Sequence, residues 1–167
     1  MEQSEFEITV VIPVYNRAGI VGRTLETLDA QVFQDFYVIL VDNNSTDGTL
    51  EVLQQWAGKH PGRATVLMQP TPGAAAARQM GLDAVATPWT IFFDSDDEMS
   101  AMHLANIVKT IDLHPDADII GWETRMIRNG KIYRKGAFTT RDMQFRSLFN
   151  GIMATLRYCA RTELFRA

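Results

Sequence analysis

Cysteine is almost absent from this sequence of 167 residues, which has Cys159 as its single thiol. One cysteine cannot form an internal disulfide, so a reducing, cytoplasmic setting is the simpler expectation. No repeated His or Cys spacing surrounds Cys159, which favours a buried structural thiol over a nucleophile. The three histidines, His60, His103 and His114, are scattered and share no metal-ligand spacing. We therefore expect surface or packing roles for them.

Long apolar runs and an excess of basic charge are also missing. No run approaches the ~20 apolar residues that a membrane-spanning helix requires. The first five residues contain acids and no base, unlike a secretory signal peptide. A formal net charge of −4 argues against a general nucleic-acid-binding protein. We expect one soluble cytoplasmic domain, with peripheral association at the inner face of the membrane as an open alternative.

What the sequence does contain is a regular alternation of strand and helix patterns. Apolar, β-branched runs typical of strands buried on both faces occupy residues 8–13, 37–41, 64–68 and 89–93. Helical spacing of apolar residues, or alanine enrichment, follows each of them, and Ser45 or Thr46 is expected to cap the second helix. This alternation predicts an α/β fold with one open, mostly parallel sheet and helices on both faces.

The regularity ends after Asp118. Residues 119–124 read as a strand, and Asn129-Gly130 between two apolar pairs predicts a small hairpin. A short helix is expected over residues 140–149. The last residues, 162–167, read as a helix barely begun, which suggests that the sequence is a piece of a longer chain.

Polar side chains collect directly after three of the predicted strands. These clusters are Tyr15-Asn16-Arg17, Asp42-Asn43 and Asp94-Ser95-Asp96-Asp97. Ligands of open α/β sheets bind outside the carboxyl ends of the strands. We therefore expect the three clusters to share one crevice.

The acidic cluster after the fourth strand is the most informative segment. Asp94, Asp96 and Asp97 place three carboxylates within four residues, and these repel one another unless water or a cation screens them. Carboxylate oxygens suit Mg2+ or Mn2+, with phosphates and waters completing the shell. The alternative is a solvated acidic turn that caps the next helix. The position of the cluster directly after a buried strand favours the metal.

Two other groups of residues suit a nucleobase and a diphosphate. Asp42 and Asn43 can together accept from and donate to a nucleobase edge, although an Asx turn leading into the helix is an alternative. Gly73 and Arg78 combine a flexible loop, a helix N-terminus and one cation, which suits a diphosphate. An exposed arginine on an amphipathic helix is the alternative for Arg78.

Four of these segments, in this order, resemble the signatures of family 2 glycosyltransferases of the GT-A fold. They are residues 10–17 (VVIPVYNR), 41–49 (VDNNSTDGT), 73–81 (GAAAARQMG) and 92–97 (FFDSDD). The resemblance implies a single nucleotide-sugar-binding domain over residues 1–167. It also implies a nucleotide-diphospho-sugar donor, Mn2+ or Mg2+, and transfer to a saccharide or lipid-linked hydroxyl with inversion. A UDP-sugar is favoured by its frequency in the family.

The resemblance also implies roles for single residues. Pro13, Tyr15, Asp42 and Asn43 would line the nucleoside pocket, and Arg78 would lie near the base or the diphosphate. Asp94 and Asp96 would form the D-x-D pair, with Asp96 or Asp97 on the metal.

The sequence departs from the family pattern at three places. Asp42-Asn43-Asn44 stands where the family commonly has Asp-Asp-Gly, and Gln79 where it has Asn. The family's catalytic base belongs to a downstream acidic pair, and no matching segment follows Phe165. The base is therefore unknown and expected beyond residue 167, together with the acceptor-binding part. Two alternatives stay open: a phosphohydrolase of the haloacid dehalogenase type, and a non-catalytic nucleotide-sugar-binding module.

Overall fold

Alternating strands and helices build a six-stranded sheet and a separate two-stranded sheet. The computed structural model describes residues 6–122, 124–128, 131–136 and 158–166. The strands are β1 (Ile8–Val14), β2 (Phe36–Asp42), β3 (Ala64–Met68), β4 (Trp89–Phe92), β5 (Ile119–Gly121), β6 (Thr124–Arg128), β7 (Lys131–Gly136) and β8 (Tyr158–Arg161). The helices are α1 (Val21–Asp29), α2 (Thr49–Gly58), α3 (Ala74–Asp83), α4 (His103–Leu113) and α5 (Thr162–Arg166).

The order of strands in the large sheet is β3-β2-β1-β4-β8-β5. Strands β1 to β4 are mutually parallel, and β8 runs antiparallel between β4 and β5. The chain moves from β1 outward to β2 and β3, then returns to place β4 on the other side of β1. The connection after β1 leads toward β2, and the connection after β4 leads toward the other edge of the sheet. This divergence opens a crevice at the carboxyl ends of β1 and β4.

The sheet carries helices on both faces, as the alternation of elements predicts. Side chains alternate across a strand, so Val10 and Ile12 of β1 face one core while Val11 faces the other. The first core receives the buried side chains of α1, α2 and α4, and the second receives those of α3. All seven residues of β2 are buried, which explains the apolar run that precedes Asp42 at its end. The expected open, mostly parallel α/β fold is confirmed.

Helix α3 packs unusually close to β1. A Cβ atom added at Gly81 would lie 2.3 Å from Cγ1 of Val11 and 3.2 Å from Cγ2 of Val41. Any larger residue at this position must push the helix away from the sheet. Gly81 therefore sets the distance between the sheet and the helix that carries Arg78.

Two expectations about local structure were wrong. Neither Ser45 nor Thr46 caps α2, because Gly48, with φ of 87°, precedes its first residue and no side-chain cap is present. The Ser45 hydroxyl instead accepts a hydrogen bond from the amide of Asn16, 3.0 Å away in another loop. The strand expected over residues 119–124 ends at Gly121, and Thr124 begins β6.

The remaining expectations fall on the second half of the chain. β6 and β7 pair antiparallel, which confirms the hairpin, although Asn129, Gly130 and the helix expected over residues 140–149 lie outside the described residues. Cys159 is buried in β8, where burial and the charge of Glu7 raise the pKa of its thiol, in keeping with a structural role. No helix within the described ranges is long and apolar enough to cross a bilayer.

Candidate functional site

A cleft of about 520 Å3 opens at the carboxyl ends of β1 and β4, against the start of α3. Its walls include six of the eight residues that the sequence singles out: Pro13, Tyr15, Asn43, Arg78, Asp94 and Asp96. Arg17, Gly73 and Ser95 line it as well. Asp42 and Asp97 are neighbours of lining residues and do not themselves form the wall. The three polar strand ends therefore meet in one crevice, as expected.

The loop after β1 is fastened to the loop after β2. Four hydrogen bonds join them: Asn16 N to Ser45 Oγ (3.0 Å), Thr46 N to Asn16 Oδ1 (2.9 Å), Arg17 N to Thr49 Oγ1 (2.8 Å) and Ala18 N to Asp47 Oδ2 (3.1 Å). Asn16 and Asn44 adopt left-handed backbone conformations, with φ of 50° and 63°, which asparagine tolerates better than most residues. These contacts explain why Ser45, Asp47 and Thr49 belong to the site, although they do not line the cleft.

Tyr15 and Pro13 form the wall of the cleft next to this loop. Tyr15 is 57% exposed, so its ring stands open at the wall of the cleft. Pro13, near the end of β1, is half-buried and lines the same wall. An exposed aromatic ring beside a polar strand end offers a flat surface on which a nucleobase can lie.

Asp42 is a buried carboxylate with one unsatisfied oxygen. Its side chain is 2% exposed, and Oδ2 accepts a hydrogen bond from the amide of Ser45 at 3.1 Å. Oδ1 has no hydrogen-bond partner among the described residues. Leaving a buried acceptor unpaired costs roughly 1–3 kcal/mol, so a ligand that donates a hydrogen bond here gains that amount of stabilisation.

Asn43 is used differently from what its position at the strand end suggests. Its Nδ2 donates to the carbonyls of Gln69 (3.0 Å) and Thr71 (2.6 Å), and its Oδ1 accepts from the amide of Gly73 (2.7 Å). Both amide protons are thus committed within the chain, and none is left for a base edge. Asn43 shapes the loop before α3, which corrects the expectation that it donates to a nucleobase. A carboxylate, which has no proton to donate, could not make the two bonds to carbonyls.

Two arginines reach the carboxylates of the D-x-D pair. Arg78 of α3 lies 2.7 Å from Oδ1 of Asp94, and both side chains are about a quarter to a third exposed. Arg17 approaches Oδ2 of Asp96 at 3.7 Å, with both side chains more open to solvent. The Nε atom of Arg78 is buried without a hydrogen-bond partner among the described residues. The guanidinium groups therefore border the acidic turn from two sides.

The acidic turn carries three carboxylates, of which Asp94 and Asp96 face the two arginines. The amide of Asp97 closes the turn on the carbonyl of Asp94 at 3.3 Å. Burial, and then the charges of Asp96 and Asp94, raise the pKa of the Asp97 carboxyl. A divalent cation near the turn would offset this repulsion.

The donor set of the turn fits magnesium or manganese better than a metal held wholly by protein. Within the described residues, no group of three or more His, Cys, Asp or Glu side chains converges on one point. Mg2+ is commonly bound through one or two carboxylates together with substrate phosphates, and Mn2+ shares its preference for oxygen ligands. Asp96 and Asp97 can supply those carboxylates beside a diphosphate.

Helix α1 contributes residues that the search for strand-end motifs missed. The Thr24 hydroxyl lies 2.9 Å from the carbonyl oxygens of both Ser95 and Asp97. Thr27 accepts a hydrogen bond from the amide of Met99, and Gln31 contacts the backbone of Ser100 and Leu104. The signal in the sequence is the spacing of Thr24, Thr27 and Gln31, which puts three polar residues on one face of a helix.

Other candidate groups lie elsewhere. Glu163 lines a different cavity, with Thr87 and Pro88 just before β4, at the opposite end of that strand from Asp94. His103 is buried against Trp122, and burial lowers its pKa to about 4. His60 contacts Asp29 and Trp56, away from the cleft. The packing roles expected for these two histidines agree with their positions.

The sequence of this chain matches a family model and is similar to known proteins. The sequence matches the family model Glycosyl transferase family 2 over residues 9–161. The succinoglycan biosynthesis protein ExoW of Rhizobium meliloti (strain 1021) is 36% identical over 108 residues, which cover 63% of this chain and 34% of ExoW. The uncharacterized glycosyltransferase YibD of Escherichia coli (strain K12) is 28% identical over 119 residues, covering 71% of this chain and 34% of YibD. The chain thus spans about a third of the length of these two relatives.

Solved structures share the fold. S. aureus TarS 1-349 in complex with UDP-GlcNAc superimposes with a TM-score of 0.76 at 23% identity, covering 96% of this chain and 47% of TarS. The mannosyltransferase PcManGT of Pyrobaculum calidifontis, in complex with GDP-Man and Mn2+, gives 0.70 at 20% identity, covering 99% of this chain and 47% of PcManGT. Because the family model extends over most of the residues, this chain belongs to Glycosyl transferase family 2.

Proposed function

We propose that this chain binds a nucleotide-diphospho-sugar and a divalent cation, and forms the donor side of an inverting glycosyltransferase. The observation that carries the proposal is the cleft at the switch point of the sheet. Asp42, whose Oδ1 has no partner among the described residues, directly precedes the wall residue Asn43, and the acidic turn with two arginines lines the cleft as well. Asp42 suits a nucleobase, the arginines suit a diphosphate, and the acidic turn suits a metal.

Each part of the chain has a task in this proposal. Asp42 accepts a hydrogen bond from the base, Tyr15 packs on it, and Arg78 faces the diphosphate from α3. Asp94 keeps Arg78 in place, and Asp96 with Asp97 would hold the Mn2+ or Mg2+. The cation, when bound, neutralises the negative charge that grows on the departing diphosphate.

The reaction proposed for the whole protein replaces the nucleoside diphosphate by an acceptor hydroxyl. The anomeric carbon acquires oxocarbenium character while the hydroxyl attacks from the opposite face, as in other displacements at glycosidic carbons. A carboxylate that removes the hydroxyl proton contributes about 10²–10⁴-fold in rate. Within the described residues, the carboxylates that line the cleft are Asp94 and Asp96, and both are assigned to other tasks. We propose that the base lies outside the described residues.

The ligands of structurally similar proteins support this class of substrate. TarS is described in complex with UDP-GlcNAc and PcManGT with GDP-Man and Mn2+, so both bind a nucleotide sugar in a related fold. ExoW is described as acting in succinoglycan biosynthesis. We propose a UDP-sugar donor and a saccharide or lipid-linked acceptor in cell-surface polysaccharide synthesis, at the cytoplasmic face of the membrane. Family membership favours this over the phosphohydrolase and over a non-catalytic binding module.

The test is metal-dependent nucleotide binding with an Asp96→Ala variant. We expect calorimetry to detect UDP binding that Mn2+ strengthens, and we expect Asp96→Ala to abolish the effect of the metal while circular dichroism is unchanged. Asp116→Ala removes an exposed carboxylate between α4 and β5 and serves as the matched control. Undiminished stimulation by Mn2+ in the Asp96→Ala variant would contradict the assignment. A screen of UDP, GDP and TDP under the same conditions identifies the base.

A further inference from the structure

A polar stripe on α1 runs along the segment that follows β4. Thr24, Thr27 and Gln31 lie on one face of the helix and its continuation, at positions i, i+3 and i+7. Thr27 Oγ1 accepts from the amide of Met99 at 3.2 Å. Gln31 donates to the carbonyl of Ser100 at 2.9 Å and accepts from the amide of Leu104 at 3.1 Å. The stripe therefore holds the backbone of residues 95–104 against α1.

Thr24 differs from the rest of the stripe because its partners belong to the acidic turn. Its Oγ1 lies 2.9 Å from the carbonyl oxygen of Ser95 and 2.9 Å from that of Asp97. These two carbonyls flank Asp96 on either side. One hydroxyl carries one proton, which is shared between the two acceptors. The peptide group that precedes Asp96 and the peptide group that follows Asp97 are consequently held at a single point.

The Asp96 carboxylate has little else to fix its direction. Its side chain is 52% exposed, and its nearest cation, Arg17, is 3.7 Å away and also largely open to solvent. Exposed ion pairs of this kind contribute little, with a median of about 0–1 kcal/mol. Thr24 by contrast is 1% exposed, so water has no access with which to replace its hydroxyl. The backbone, held by Thr24, is what aims the carboxylate.

The same helix also supports the opposite wall of the cleft. The amide of Val21, the first residue of α1, donates to the carbonyl of Arg17 at 2.9 Å. Thr24 lies one turn further along. The loop that carries Tyr15 and Arg17 and the turn that carries Asp96 are therefore both fastened to the first turn of α1.

We infer that Thr24 is a positioning residue for the metal-binding turn, acting through the carbonyls of Ser95 and Asp97. This inference rests on the proposed function, since it concerns the cation that Asp96 and Asp97 would hold. Partners that orient metal ligands typically change metal affinity by about 10–100-fold when they are removed. Thr24 requires no contact with the metal or the nucleotide to have this effect.

The substitution Thr24→Val removes the proton and keeps the shape of the side chain. It leaves two carbonyl oxygens facing an apolar methyl group, so the turn is expected to rotate away from α1. We expect the affinity of the UDP-bound chain for Mn2+ to fall by about 10-fold or more. UDP affinity without metal is expected to stay within about threefold, because no nucleotide contact changes. Thr24→Ser retains the hydroxyl and is expected to restore Mn2+ affinity to within about threefold of the parent.

The experiment is a titration of Mn2+ into the UDP-saturated chain, followed by the relaxation of water protons. The matched control is Thr90→Val, which removes another fully buried threonine hydroxyl, bonded to Thr162 in the sheet. It is expected to lower Tm without changing Mn2+ affinity, which separates positioning from a general loss of stability. If Thr24→Val does not fold, Thr24→Ala, which also removes the donor, takes its place under the same criterion.

The outcomes distinguish the two proposals. Failure of the parent chain to bind UDP with Mn2+ would overturn the proposed function. Parent binding combined with Mn2+ affinity within threefold in folded Thr24→Val, or in the Thr24→Ala substitute, would overturn the role of Thr24 alone. An equal loss in Thr90→Val would also overturn it, because the effect would then follow stability rather than the turn.

Discussion

At the scale of single residues, the carboxylates of the cleft differ in what surrounds them. Asp42 is buried with one oxygen unpaired, Asp94 is paired with Arg78, and Asp97 is repelled by its acidic neighbours. A buried acceptor without a partner suits a neutral donor on a base, whereas a repelled carboxylate suits a cation. We therefore propose different ligands for these chemically identical groups.

The first residue-scale prediction concerns Asp42. We expect Asp42→Asn to weaken UDP binding by about 10-fold or more, because a hydrogen bond to a charged group contributes about 1.5–3 kcal/mol. Binding of inorganic diphosphate with Mn2+ is expected to change less than threefold, since the acidic turn is untouched. Calorimetry with both ligands measures the difference. Equal losses for UDP and diphosphate would count against a role in base recognition.

A second prediction follows from the raised pKa of Asp97. Its folded pKa lies above the unfolded one, so its contribution to stability is present below the unfolded pKa and lost as pH rises through the folded pKa. At pH 7 the ionised group costs stability, which Asp97→Asn relieves. The side chain is only partly buried and water screens the repulsion, so we expect Tm without metal to rise by about 1–2 °C.

The pH dependence provides the control for this prediction. The gain in Tm is expected to disappear below about pH 4, where the parent carboxyl is protonated as well. Calorimetric scans at both pH values measure it, and Mn2+ binding at pH 7 should be weaker in Asp97→Asn. A lower Tm at pH 7 in the variant would contradict the repulsion.

At the scale of elements, the position of α3 decides where Arg78 and Ala77 meet the cleft. Gly81 permits the close approach of this helix to β1, since an added Cβ would lie 2.3 Å from Val11. Val11 is fully buried in β1, and its β-branched side chain has few other rotamers. The helix, rather than the strand, would have to move.

We therefore predict that Gly81→Ala destabilises the chain by about 1–3 kcal/mol, the usual cost of overpacking a core. Arg78, three residues earlier on the same helix, should shift with it, and UDP binding should weaken. Gly58→Ala, at the end of α2, is the matched control, because no atom lies within 4 Å of its added Cβ. It should be neutral or slightly stabilising. Urea titrations measure both, and equal midpoints would show that α3 accommodates the extra carbon.

At the scale of the whole molecule, donor binding and sugar transfer are separable. The residues assigned to base, diphosphate and metal lie between Pro13 and Asp97, and no carboxylate described beyond Asp97 lines the cleft. We expect this chain to bind UDP with Mn2+ and to transfer sugar slowly. At a ligand concentration of 100 times Kd, binding should stabilise the fold by about 2.7 kcal/mol.

The measurement combines thermal shift with product analysis. The chain is incubated with Mn2+, nucleotide sugars and candidate acceptors, and nucleoside diphosphate release is compared with glycosylated product. Slow release without product is the expected result. Multiple turnovers of transfer would show that the base is already present, and Asp142, which lies outside the described residues, would be the first residue to mutate.

Much of the architecture is determined by local sequence. The runs that form β1 and β2 are mostly apolar and rich in β-branched residues, which favours burial on both faces of a parallel sheet. Parallel strands carry their loops at the same edge, and this brings Tyr15, Asn43 and Asp94 together without further information. Fold class and most of the cleft wall were therefore predictable from the sequence alone.

The rest depended on contacts between residues distant in sequence, which no local pattern encodes. β8 enters the sheet antiparallel between β4 and β5, because pairing partners are chosen by the packing of the whole sheet. The amide of Asn43 serves a loop that begins at Gln69, and the hydroxyl of Thr24 reaches the acidic turn more than 70 residues away. The sequence by itself determined which groups surround the ligand. The tertiary structure decided which of them remain free to bind it, because a buried donor or acceptor takes the nearest partner that the fold supplies.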